Sequence, residues 1–112
     1  MPFVTSQVFH ILVALADGDR HGYAIMQDVA DRTSGRMRLS PGTLYGSIKR
    51  MLDQGLVVEL REKERPDARY DDERRRYYRL TPAGRKAVKE EAARMSDMLE
   101  QARAHGLAPK RG

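Results

Sequence analysis

The chain has 112 residues and no cysteine, which suits one domain of about 100–150 residues and excludes disulfides, thiolate zinc sites and cysteine nucleophiles. Apolar residues make up 40% and charged residues 33%, with a mean hydropathy of −0.68, so helices and strands should be apolar on one side only. The longest apolar run, residues 11–16, is far short of the ~20 residues that cross a bilayer; with no secretory signal at the N-terminus the expectation is a cytoplasmic protein, and a net charge of +5 points toward a polyanionic partner.

In chain order, Ser6 caps a first helix running to about Ala16, with Val8, Leu12 and Leu15 on one face and Asp17-Gly18-Asp19 as its stop. A second helix starts near His21-Gly22-Tyr23, carries Ile25, Met26, Val29 and Ala30, and ends at Ser34-Gly35. Arg36 to Leu39 is a short connector. Ser40-Pro41 reads as an N-cap followed by proline at the first helical position, opening a third helix that runs to Gln54 and stops at Gly55. The period then changes. Residues 57–64 and 75–80 have the length and residue types of strands, with turn material between them, and predict a hairpin with a long charged tip. Alternation puts Tyr78 and Leu80 on one face and Arg75, Tyr77 and Arg79 on the other, so one face covers the helices and the other stays basic. Thr81-Pro82 begins a fourth helix by the same cap-and-proline logic, reaching about His105. At 1.5 Å per residue such a helix is roughly 36 Å long, longer than a three-helix core can cover. Residues 107–112 read as a frayed tail.

Charge is distributed unevenly. Up to Leu56 there are six Lys/Arg against five Asp/Glu, and beyond it fifteen against eleven, with the excess concentrated between Arg61 and Arg79. Three helices followed by a basic hairpin predict a mainly α fold with a small β-hairpin, a winged helix-turn-helix over residues 1–80, in which the third helix enters the DNA major groove and the wing follows the backbone. A long C-terminal helix over residues 81–106 would serve as the dimerisation element. On the wheel of the third helix, Leu44, Ile48, Met51 and Leu52 cluster on one side. The opposite side centres on Gly46, with Gly42, Lys49 and Asp53 near it, Thr43 and Arg50 toward one edge and Tyr45 at the other margin. Two glycines there each cost about 1 kcal/mol relative to alanine and let a backbone approach closely. Ser40 and Thr43 add small hydroxyls for phosphates or base edges, and Lys49 and Arg50 a longer cationic reach. Asp53 marks where contact ends.

His21-Gly22-Tyr23, Ser40-Pro41-Gly42-Thr43-Leu44-Tyr45, Gly55-Leu56-Val57 and Arg76-Tyr77-Tyr78-Arg79-Leu80-Thr81-Pro82-Ala83-Gly84-Arg85 closely resemble the signature of PadR-family transcriptional regulators, in the family's order and spacing over residues 8–88. One departure is Gly46, where the family usually has proline. The resemblance implies a homodimeric repressor on a pseudo-palindromic operator, with the C-terminal helix making the dimer and Tyr23 contacting the DNA backbone. Family members also respond to phenolic or multidrug ligands; no aromatic residue follows Tyr78 to stack on one, so a small-molecule effector stays open. Independently, Val88, Ala92, Met95, Leu99 and Ala102 recur at three- and four-residue steps on the last helix. Such a stripe either pairs with a second copy, setting recognition helices about 34 Å apart, or folds back on its own domain.

Several residues have two readings. The Tyr23 ring either contacts phosphate at a helix start or packs under the third helix. Tyr45, at the groove margin, is placed in the DNA interface. For His21, structural capping is the better reading; His10 and His105 read as surface residues. Arg74 to Arg76 directly follow Asp71, Asp72 and Glu73, so Arg65 and Arg69 are better placed for DNA, with Arg75 as a further contact. Met95 and Met98 suit either an adaptable ligand site or plain packing. The competing classes are a winged-helix protein-interaction module and an enzyme. The latter lacks a Gly-rich loop followed by Lys-Ser/Thr, a histidine pair at metal spacing and a nucleophile with an evident base, so no catalysis, metal or cofactor is expected.

Overall fold

Every helix begins on a side chain that accepts a hydrogen bond from one of its free amides, as orphan N–H groups require. The structure, a computed structural model, describes residues 4–61 and 76–110. Helix α1 (Ser6–Ala14) is capped by Thr5, whose hydroxyl accepts from Val8 N at 3.2 Å. Ser6, expected as the cap, is instead the first helical residue. The helix also ends before Ala16, because Ala16 N bonds to the Val13 carbonyl in a tightened final turn. Helix α2 (Gly22–Arg32) is capped by His21, with Ala24 N donating to Nδ1 at 3.1 Å. Ser40 caps α3 (Pro41–Asp53) through Thr43 N at 3.2 Å, and Thr81 caps α4 (Pro82–Ala104) through Gly84 N at 3.0 Å. Proline follows both of these caps, where its fixed φ and missing N–H cost nothing.

The strands β1 (Arg20–His21), β2 (Val57–Glu59) and β3 (Tyr77–Leu80) form one antiparallel sheet in the order β1-β3-β2. Arg20 pairs with Tyr78, and Val57 pairs with Leu80. The hairpin expected from the sequence is present as β2 and β3; among the described residues β2 ends at Glu59 and β3 begins at Tyr77, and Leu60 N still donates to the Tyr77 carbonyl at 2.8 Å. The rest of the tip, with Arg65, Arg69 and Arg75, lies outside the described residues. Strand β1 was not foreseen, and it corrects the face assigned to Tyr77. That ring is only 8% exposed, because β1 runs beside it and His21 meets it edge-on with centroids 5.3 Å apart. Arg79 is exposed as expected, yet it makes a two-point contact with Asp19 (Nε–Oδ1 3.0 Å, Nη2–Oδ2 2.9 Å), which ties the α1–β1 loop to the sheet.

The core joins Ile11 and Leu12 of α1, Ile25 and Val29 of α2, and Leu44, Ile48 and Met51 of α3 to Leu56, Val57, Tyr78 and Leu80, with Ala87 of α4 at its edge. Helix α4 is seated tightly at its start. Thr81 N donates to the Leu56 carbonyl at 3.1 Å and Thr81 Oγ1 to the Gly55 carbonyl at 2.6 Å. Further along, residues 92–101 are exposed, so the alternative of a helix folded back on its own domain is not adopted. Beyond it, Gly106 takes a φ of 70°, Leu107 N bonds back to the Ala102 carbonyl at 2.8 Å, and Arg103 Nε donates to the Pro109 carbonyl at 2.8 Å. Among the described residues no helix is long and apolar enough to cross a membrane.

Candidate nucleic-acid interface

Helix α3 divides cleanly into two faces. Leu44, Ile48 and Met51 are buried as predicted, and Ser47 is buried with them. The signal for Ser47 was its spacing, three residues after Leu44 and four before Met51, which places it next to Met51 on the buried side of the wheel. Outward lie Gly42, Thr43, Lys49, Arg50 and Asp53, with Gly46 half-buried. Ser40 Oγ donates to Thr43 Oγ1 at 3.0 Å while accepting Thr43 N, which fixes two hydroxyls side by side at the start of the helix. Arg50 reaches back to Ser47 Oγ at 3.3 Å.

A Cβ added at Gly42 or Gly46 would meet nothing within 4 Å. Nothing within the chain therefore requires glycine at either position. The helical cost of Gly46 is instead consistent with a surface that something approaches closely.

The two tyrosines separate. Tyr23 is 62% exposed, its hydroxyl accepting from Gln27 Nε2 at 2.8 Å, so the reading in which it packs under α3 does not hold. Tyr45 is 43% exposed, and its ring tip lies over the start of α2: a Cβ at Gly22 would sit 2.3 Å from the Tyr45 hydroxyl oxygen. Gly22, which sequence reasoning passed over, thus lets Tyr45 set the approach of α3 to α2. His21 serves as the cap it was expected to be. The basic residues near the sheet are matched by acids, Arg76 by Glu59 at 3.6 Å and Arg79 by Asp19. Arg32 is committed as well, since hydrogen bonds to Asp28 first and to Asp17 next hold its proton even more firmly than usual. On α4, Val88 packs against the core, Ala92, Met95 and Leu99 are exposed, and Ala102 is half-buried; Met98, beside this stripe, is 59% exposed. Among the described residues no three His, Asp or Glu side chains gather in a way that could hold a metal ion.

The family description "Transcriptional regulator PadR-like family" matches residues 11–90. The chain belongs to the PadR-like family. It is 36% identical to the transcriptional regulator Rv3488 of Mycobacterium tuberculosis over 92 residues, covering 82% of this chain and 78% of that protein. It is 43% identical over 86 residues to an uncharacterized 37.1 kDa protein in transposon TN4556 of Streptomyces fradiae, covering 77% of this chain and only 22% of that protein. The chain thus spans about a fifth of that relative. Among solved structures, Bacillus subtilis PadR in complex with operator DNA superimposes with a TM-score of 0.65 at 18% identity, over 80% of this chain and 48% of that one, which shows the shared winged-helix fold.

Proposed function

We propose that this PadR-like chain is a sequence-specific DNA-binding regulator that acts in the cytoplasm as a homodimeric repressor on a pseudo-palindromic operator and is released by a small-molecule or stress signal. The observation that carries the reading is the outward face of α3, where small residues stand between cations and the opposite side is locked into the core. A helix anchored in this way presents hydroxyls and backbone to base edges and Lys49 to phosphate. The operator-bound state of the Bacillus subtilis PadR structure supports the same docking here. Tyr23, exposed at the first turn of α2, suits a phosphate contact, and Arg65, Arg69 and Arg75 are kept from the sequence as further cationic contacts. The exposed Ala92, Met95 and Leu99, with Ala102, supply the pairing surface, and the adaptable Met95 and Met98 beside it suit a responsive interface.

Selection of bound sequences from a random duplex library tests this. Enrichment of a two-fold symmetric site with half-sites about 34 Å apart is expected; no enrichment would overturn it. Thr43→Ala and Lys49→Ala are each expected to weaken operator binding by about 1–3 kcal/mol, roughly fivefold to a hundredfold, with no change in the sedimenting mass. Gly46→Ala separates stability from function. It should raise unfolding stability by up to about 1 kcal/mol while lowering operator affinity, as read by urea titration and fluorescence anisotropy on the same sample. A gain in both would show that no backbone approaches there.

A further inference from the structure

The connector between α2 and α3 is built more firmly than its length suggests. Thr33 Oγ1 donates to the Val29 carbonyl at 2.8 Å and accepts the Met37 amide at 3.0 Å. Ser34 and Gly35, at φ of 53° and 78°, reverse the chain, and Gly35 N closes the helix end on the Ala30 carbonyl at 2.7 Å. Met37 packs against the core and Leu39 is buried in it. Exposure then alternates residue by residue, with Arg36, Arg38 and Ser40 outward and Met37 and Leu39 inward, the period of an extended chain. Side chains two residues apart in such a chain are about 6.6 Å apart, comparable to the step between successive phosphates on one strand.

The charges on this track are available. Arg20, Arg32, Arg76, Arg79, Arg94 and Arg103 each pair with a carboxylate. Among the described residues Arg36 and Arg38 pair with none. Asp31 lines the same cleft of about 240 Å³ as Arg38, between α2 and the connector, without pairing with it. The Arg38 guanidinium rests over Gly35, where a Cβ would lie 3.0 Å from Nη2. The track leads directly into Ser40 and Thr43 at the start of α3.

We infer that Arg36 and Arg38 grip neighbouring phosphates of the DNA strand that passes the start of α3. The inference rests on the DNA-binding reading above. Because the backbone between them is already pinned, binding orders only the two side chains and not the connector itself, and the contact sets the register of α3 on the duplex. The contact is to backbone, so it is independent of base sequence and is measurable without knowing the operator.

The test is a salt titration of binding to a fluorescent mixed-sequence duplex by the full chain. Each phosphate contact contributes about 0.9 to the slope of log affinity against log salt. The double variant Arg36→Gln, Arg38→Gln is expected to lose nearly 2 from that slope for each protomer engaged, and about tenfold to a hundredfold in affinity near 0.1 M salt, with an unchanged unfolding midpoint. Arg36→Lys with Arg38→Lys should restore the slope, because phosphate accepts lysine as a point charge. Arg85→Gln with Lys89→Gln, two cations on α4 that also lack a carboxylate partner, should keep the wild-type slope. A wild-type slope in the Arg36/Arg38 variant, or an equal loss in the Arg85/Lys89 variant, overturns the inference while leaving DNA binding intact. A wild-type protein that binds duplex without salt dependence overturns the DNA-binding reading itself, and this inference with it.

Discussion

Gly84→Ala is expected to lower the unfolding free energy by about 2–3 kcal/mol. A Cβ at this position would sit 2.2 Å from the Leu56 carbonyl oxygen and 2.6 Å from Leu80 Cδ1. The first of these is backbone, held by the turn at Gly55 and by the amide of Thr81. Moving α4 away to make room would stretch that bond and the Thr81 to Gly55 hydrogen bond together, so the strain has no inexpensive outlet. In a thermal melt at matched protein concentration the midpoint should fall by at least about 8 °C. An unchanged midpoint would mean that α4 is not seated on Leu56. The contrast with Gly46 is informative, since the same methyl there meets open space and should stabilise.

Leu99→Glu is expected to abolish self-association. Leu99 is 41% exposed in the single chain and lies in line with Ala92 and Met95 on a helix that has left its own core. If two copies bury this stripe against each other, the substitution buries an uncompensated charge from each copy, at about 3–5 kcal/mol, which raises the dimer dissociation constant by at least about a hundredfold. Sedimentation velocity should then show the mass of one chain. Gln101→Glu, on the opposite side of α4, should leave the dimer intact. A Leu99→Glu protein that still sediments as two chains would place the dimer contact elsewhere.

What could be read from the sequence was what is decided locally. Ser40-Pro41 and Thr81-Pro82 fixed two helix starts because cap and proline act within one turn, and the buried side of α3 followed from its period alone. Thr5 was missed in favour of Ser6 because two adjacent hydroxyl residues offer equivalent caps, and only packing of Val4 and Val8 into the core selects between them. Strand β1 was invisible for a different reason. Two residues have no period, and Arg20 and His21 are a strand only because Tyr77 and Tyr78, far along the chain, lie beside them. The burial of Tyr77 inherits that non-locality. The candidate site shows the same division: the face of α3 was legible, whereas the contact of Tyr45 with Gly22, the neutralisation of Arg79 by Asp19 and the pinned connector at Thr33 all depend on tertiary placement.

The order β1-β3-β2 has a consequence for how the chain is made. The middle strand is the last to be synthesised, so β1 and β2 leave the ribosome as two open edges with nothing between them. Until residues 77–80 arrive, the helices can gather, yet the sheet presents unpaired amides and carbonyls on both sides, the arrangement that captures a strand from another molecule. A nascent or truncated chain ending before Tyr77 is therefore a template awaiting its insert, and a neighbouring copy's β3 has the right sequence to fill it.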